Sequence, residues 1–84
     1  MRNVILYTRP GCCLCDEARE VLLKLRTSHP AAFALQERDI ESSDELLRRY
    51  LERIPVITID GVEAFELLVS ESELEQRLGI VSSG

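Results

Sequence analysis

Three cysteines stand within four positions of this chain, at Cys12, Cys13 and Cys15. An odd count cannot pair off as a disulfide scaffold, and thiols this close cannot staple distant loops. The cluster is therefore expected to do chemistry or to bind metal. Cys12 and Cys15 form a C-x-x-C pair, and residues three apart at a helix start share one face, so their sulfurs can meet. Free N–H groups and the positive end of the helix dipole stabilise a thiolate in the first turn. Cys12 falls at or just before that turn, whereas Cys15 lies a turn deeper and should be less exposed. Arg9 adds a positive charge three residues before Cys12, and Asp16 and Glu17 oppose it. Cys13 sits about 100° round the helix from Cys12. It is expected to be a small buried residue outside the pair.

A strand and a helix must hold such a pair, and the surrounding pattern supplies both. Val4 to Thr8 is β-branched and aromatic and ends at Pro10-Gly11, which reads as a buried strand. A helix is expected from Cys13 to Arg26, with Leu14, Ala18, Val21, Leu22 and Leu25 on one apolar face. His29-Pro30 stops it, and Thr27 to Ala32 reads as a linker. Phe33 to Arg38 alternates as a second strand. Ser42 and Glu45 fit a capping box, with Ser42 as the cap of a short helix that carries Leu46, Leu47, Tyr50 and Leu51 inward. Asp44 with Arg48 and Glu45 with Arg49 are placed for pairing on its outer face.

The strand Val56 to Ile59 follows Pro55. Asp60-Gly61 is a two-residue hairpin turn that needs positive φ at both positions, and a fourth strand runs from Val62 to Leu67. Ser70 and Glu73 cap a last helix, Val69 staples onto Leu74, and Gly79 ends it. The order β-α-β-α-β-β-α predicts an α/β fold: a right-handed βαβ unit with parallel strands, then an antiparallel hairpin and a covering helix. A four-stranded mixed sheet flanked by helices accommodates it.

Length and charge narrow the function. The 84 residues allow one domain, 1–84. At 45% hydrophobic and 30% charged the composition is that of a globular chain, and a net charge of −5 argues against nucleic acid as a partner. Only Val4 to Tyr7 are apolar near the start, short of the roughly 7–15 residues of a signal peptide. No apolar run approaches the roughly 18 residues of a membrane span. A cytoplasmic location, where thiols stay reduced, and no membrane contact are expected. The tail Val81 to Gly84 reads as a second linker-like segment.

Tyr7-Thr8-Arg9-Pro10-Gly11-Cys12-Cys13-Leu14-Cys15-Asp16-Glu17-Ala18 resembles a glutaredoxin-like member of the thioredoxin superfamily, closest to the small proteins whose motif reads C-x-L-C-D. The element order extends that likeness over nearly the whole chain. It implies a thioredoxin-like fold and a thiol-disulfide oxidoreductase, with Cys12 as the attacking thiolate and Cys15 as the resolving thiol. Arg9 matches the basic residue of glutaredoxins. Arg53-Ile54-Pro55-Val56 matches the segment whose proline is cis and faces the cysteines. The residue before that proline offers backbone groups to an extended substrate.

The chain departs from glutaredoxins where those bind glutathione. The Gly-Gly turn and following Asp are absent, and Ala64 to Glu71 stands in their place. Glu66 and Glu71 would repel an anion, although Ser70 caps a helix N-terminus there. Arg53 replaces the usual Thr and could itself pair with a carboxylate. The redox chemistry is thus expected to carry over and glutathione dependence is not. The substrate is expected to be a disulfide-bearing protein or small thiol, the reductant a thioredoxin reductase or glutathione, and the protein a monomer without bound cofactor. Two other readings remain open: a metal or iron–sulfur module built on Cys12, Cys13 and Cys15, and a redox-inactive interaction domain. A closed zinc site needs four ligands, and the one histidine, His29, lies roughly 20 Å further along the helix.

Overall fold

The computed structural model describes residues 2–79. Its first strand, β1 (Arg2–Thr8), alternates side chains between two faces of a sheet. Val4 and Leu6 point to one side with Ile57 and Ile59 of β3 (Val56–Ile59). There they join Ala18, Leu22 and Leu25 of α1 (Cys13–Ser28), Phe33 of β2 (Phe33–Asp39), and Leu74 and Leu78 of α3 (Glu71–Leu78). Tyr7 and Val56 serve the opposite side, packing with Ile40 and with Leu46, Leu47 and Tyr50 of α2 (Asp44–Tyr50). Two helices therefore cover one face and one covers the other. Leu6, Leu22, Ile57 and Leu74 are each fully buried, a state worth about 1.5–3 kcal/mol per side chain over exposure.

The strand order is β2-β1-β3-β4, with β4 at Val62–Glu66. β1 and β2 are parallel, from Arg2 opposite Phe33 to Thr8 opposite Asp39, because α1 returns the chain to the same sheet end. β3 runs antiparallel to both β1 and β4 and is buried along its whole length. This is the expected mixed sheet. Asp60 and Gly61 turn the hairpin at φ 52° and 83°. Ser70 Oγ accepts the Glu73 N–H to open α3, and Gly79, at φ 71°, closes it. Val69 packs against the cluster that contains Leu74.

Several local expectations fail for identifiable reasons. Leu14 is 39% exposed, and Cys15, at 1%, takes the inward position of α1 instead. The inward stripe is 15-18-22-25, and Leu14 falls one residue outside it. α1 also runs past Arg26 to Ser28, into the segment read as linker. Between β2 and α2 a single 3-10 turn, Ile40–Ser42, buries Ile40 and shifts the helix start by one residue. Ser43, not Ser42, then caps α2 by accepting the Leu46 N–H at 3.5 Å, while Ser42 Oγ donates to the Asp39 carbonyl at 2.6 Å.

Leu51 lies beyond the last helical turn and is 42% exposed. Neither Asp44–Arg48 nor Glu45–Arg49 pairs among the described residues; Arg49 reaches across to Glu63 Oε2 at 3.8 Å. β4 stops at Glu66 because Leu67, at φ 68°, has left the extended region. The expected linker Val81–Gly84 lies outside the described residues.

Candidate active site

β1 delivers its chain end to a turn in which Gly11 adopts φ 80°, and that turn presents Cys12 as the N-cap of α1. The Cys12 N–H donates to the Arg9 carbonyl at 3.3 Å, and its own carbonyl accepts the Asp16 N–H at 3.2 Å, opening the helix. The Cys12 sulfur accepts the Cys15 backbone N–H at 3.3 Å. A cysteine thus takes the place a Ser or Asp usually holds at an N-cap. An N–H aimed at sulfur is the interaction a thiolate uses. Cys12 is half-buried, Cys15 buried and Cys13 exposed, all as free thiols.

The expectation that Cys13 is buried is therefore overturned: it occupies the first helical position, on the solvent side. Cys12 and Cys15 differ in environment as the pairing requires. Burial pushes the Cys15 thiol up to about 12, and its hydrogen bond to Cys12 acts in the same direction. The Arg9 backbone and the Arg19 charge oppose the rise.

Arg9 stands beside the cysteine turn, but its Nε is engaged by Glu41 Oε2 at 3.1 Å. A second basic group, unmarked in the sequence reading, lies one turn below Cys15. Arg19 grips both oxygens of Glu37 through Nε, at 3.1 and 3.0 Å, and reaches Asp16 Oδ1 at 2.9 Å. Glu37 also accepts from the buried Thr8 hydroxyl at 3.3 Å. Arg19 holds the Glu37 carboxyl below the usual carboxylate range. The i,i+4 spacing of Cys15 and Arg19 could have flagged this residue; its partner on β2 could not be read from spacing.

The Ile54–Pro55 peptide bond is cis. The β1–β3 register pairs Tyr7 with Val56, so Pro55 follows on opposite Thr8, at the sheet end from which Cys12 emerges. The Ile54 N–H donates inward to the Tyr50 carbonyl at 3.1 Å, and the Pro55 carbonyl accepts the Leu67 N–H at 3.0 Å. Among the described residues the Ile54 carbonyl takes no backbone donor. Arg53 turns to β4, pairing with Glu63 and, at 2.5 Å, with Glu66 Oε2. Its guanidinium also lies 5.5 Å from the Tyr50 ring centre. Tyr50 stacks on Tyr7 at 4.7 Å between centroids.

The donor set fits a single-chain metal centre poorly. Cys13 and Cys15 face opposite environments. Among the described residues no three His, Cys, Asp or Glu side chains gather in a metal-holding arrangement. His29 caps the far end of α1.

A dithiol at a helix start, a cis-proline at the same end of the sheet and this sheet order define a protein of the thioredoxin-like fold. The glutaredoxin-like domain model (DUF836) matches residues 3–79, and the chain belongs to that family. It is 30% identical over 76 residues to the glutaredoxin-like protein YDR286C homolog of Dictyostelium discoideum, covering 86% of this chain and 70% of that one. Its structure resembles the X-ray structure of the structural genomics target XcR50 from X. campestris, at TM-score 0.74 and 26% identity, over 94% of this chain and 99% of that one. Oxidised mitochondrial thioredoxin 3 of Saccharomyces cerevisiae shares the fold at TM-score 0.68 and 18% identity, over 95% of this chain and 78% of that one. Among the described residues no helix is long and apolar enough to cross a membrane.

Proposed function

We propose that this protein is a thiol-disulfide oxidoreductase, with Cys12 as nucleophile and Cys15 as resolving thiol. The observation that carries this is the asymmetry of the pair. Cys12 is half-buried at an N-cap with an N–H on its sulfur, and Cys15 is buried behind it with its proton held. The Cys12 thiolate attacks one sulfur of a substrate disulfide; the S–S bond breaks, and the other sulfur leaves and takes up a proton. Cys15 then surrenders its proton to the second departing sulfur and attacks Cys12, closing the Cys12–Cys15 disulfide. Two electrons have passed to the substrate.

A thiol reductant restores the pair, and a thioredoxin reductase system suits this chain better than glutathione. Arg53, the residue that could hold a glutathione carboxylate, is already engaged by Glu63 and Glu66. The protein acts as a monomer in a reducing, cytoplasmic setting. Glu41 leaves Arg9 little free charge, and its contribution here is the carbonyl that accepts the Cys12 N–H.

Single-cysteine variants test the assignment. Cys15→Ser is expected to accumulate a mixed disulfide on Cys12, seen by mass spectrometry, and Cys12→Ser to lose turnover. If both reduce a disulfide at the parent rate, the roles assigned here are wrong.

A further inference from the structure

The second step of exchange makes a demand that the first does not. Cys15 must attack, and its sulfur is the buried one of the three. Burial opposes the thiolate, and a positive charge close by is what offsets that opposition. Arg9 and Arg53, the arginines before Cys12 and Pro55, are taken up by Glu41 and by Glu63 and Glu66. Arg19 is carried by the same helix as Cys15.

Arg19 follows Cys15 by four residues, about 40° round α1. Helical side chains lean toward the N-terminus, so Arg19 lies back over the turn that holds Cys15. Its bond to Asp16 Oδ1 at 2.9 Å, three residues back, shows that it does. The rest of the fork is fixed from the sheet. Its Nε reaches both oxygens of Glu37 on β2, and Glu37 accepts the hydroxyl of the buried Thr8 on β1. Three elements thus hold one guanidinium.

The direction of this charge pair matters. Asp16 and Glu37, the acids that could cancel Arg19, are 68% and 41% exposed against 36% for Arg19 itself. Water screens the negative ends, and the positive end lies nearest the buried stripe of α1. Of the charged groups that act on the Cys15 thiol, Cys12 holds its proton on and Arg19 favours the anion. A cleft of about 490 Å³, bordered by Thr8, Gly11, Asp16, Arg19 and Asp39, opens this side of the helix start to water.

We propose that Arg19 is a positioning residue for the second step: its guanidinium, held by Glu37 and Asp16, stabilises the Cys15 thiolate as it forms and turns on Cys12. The assignment rests on the oxidoreductase reading above. In that step the Cys15 proton passes by way of the cleft water to the departing sulfur. The Cys15 electron pair makes the bond to Cys12, and the bond from Cys12 to the substrate sulfur breaks. Arg19 keeps its own proton throughout. Loss of the guanidinium leaves about tenfold less thiolate at neutral pH, and the more basic sulfur recovers roughly threefold of that in nucleophilicity. The net slowing is about threefold.

The two steps separate in time on the aromatic disulfide dithiobis-nitrobenzoate, whose released thiolate absorbs visible light. Cys13→Ser serves as the parent, since it removes the exposed bystander thiol. A first release follows attack by Cys12 and depends on probe concentration. A second release, independent of probe concentration, follows closure of the Cys12–Cys15 bond. In stopped flow at pH 7, Arg19→Gln is expected to slow the second release threefold or more and to leave the first at the parent rate, which also reports an intact fold. Arg19→Lys keeps the charge and is expected to recover the second release. Glu37→Gln breaks the same tie between α1 and β2 but leaves the guanidinium, and is expected to release at the parent rate or faster.

A second release that Arg19→Gln does not slow, that Arg19→Lys does not recover, or that Glu37→Gln slows equally overturns the assignment of Arg19 and leaves Cys15 as the resolving thiol. A parent with no second release overturns the resolving role of Cys15, and the task given to Arg19 falls with it.

Discussion

Cys12 and Cys15 are three residues apart and chemically alike, yet the fold treats them differently. The first sits outside the first hydrogen-bonded turn and is half-buried, the second sits inside it and is fully buried. This difference has a direct readout. With its thiol pushed up to about 12, Cys15 stays protonated at pH 8, and its 1% exposure keeps reagents away. Brief treatment with iodoacetamide at pH 8 is expected to label Cys13 and Cys12 and to leave Cys15 unmodified by peptide mass spectrometry. Labelling of Cys15 at the rate of Cys13 would contradict the burial on which the division of roles depends. The pair itself was legible in the sequence, because its spacing and its place at a helix start are local facts. The exposure of Cys13 was not: free cysteine is usually buried, and here its position on the helix outweighs its type.

The elements were legible where a residue type enforces a backbone angle or a cap. Asp60-Gly61, Ser70 and Gly79 each mark a boundary through their own chemistry, and each stands where it was expected. Gly79 adopts φ 71° while its N–H closes α3 onto the Gln76 and Glu75 carbonyls. Gly79→Ala is expected to lower stability by about 1 kcal/mol, measured as a shift in urea midpoint at constant m-value. A loss within error of zero would mean that α3 does not depend on this cap. Boundaries failed where a longer-range demand intervened. Burial of Ile40 inserts a 3-10 turn before α2 and moves its cap from Ser42 to Ser43. Leu67 ends β4 early through a conformation that leucine does not announce. Arg19 and Glu37 meet only because α1 lies over β2, a contact between elements that periodicity along either one cannot show.

At the scale of the whole molecule, titration sets the working range. Glu37 has its carboxyl lowered by Arg19, so its contribution is present above the ordinary carboxylate value near 4.3 and is lost as pH falls through the folded-state value. Both side chains are more than a third exposed, and that contribution is under about 1 kcal/mol. Cys15 acts in the opposite direction: its raised value leaves stability intact below the ordinary thiol value near 8.5 and removes it as pH climbs toward 12. Thermal melts from pH 3 to pH 11 are expected to show a plateau between these flanks. Glu37→Gln should reduce the acid flank, which Glu63 shares, and Cys15→Ser the alkaline one, which Tyr50 shares. An alkaline flank unchanged by Cys15→Ser would place its cause elsewhere.

The stacked ring pair between β1 and α2 has an optical consequence. The chain has no tryptophan and two tyrosines, and those two, Tyr7 and Tyr50, lie 4.7 Å apart. Its whole tyrosine fluorescence and aromatic near-ultraviolet dichroism of tyrosine origin therefore come from one spot, on the α2 side of the sheet. Such a signal reports the detachment of α2. The larger cluster between the sheet and α1 and α3 contains no tyrosine, and its melting is followed through the helical backbone signal in the far ultraviolet. Recorded together on one sample, the two wavelengths show whether the two faces of the sheet come apart in a single step.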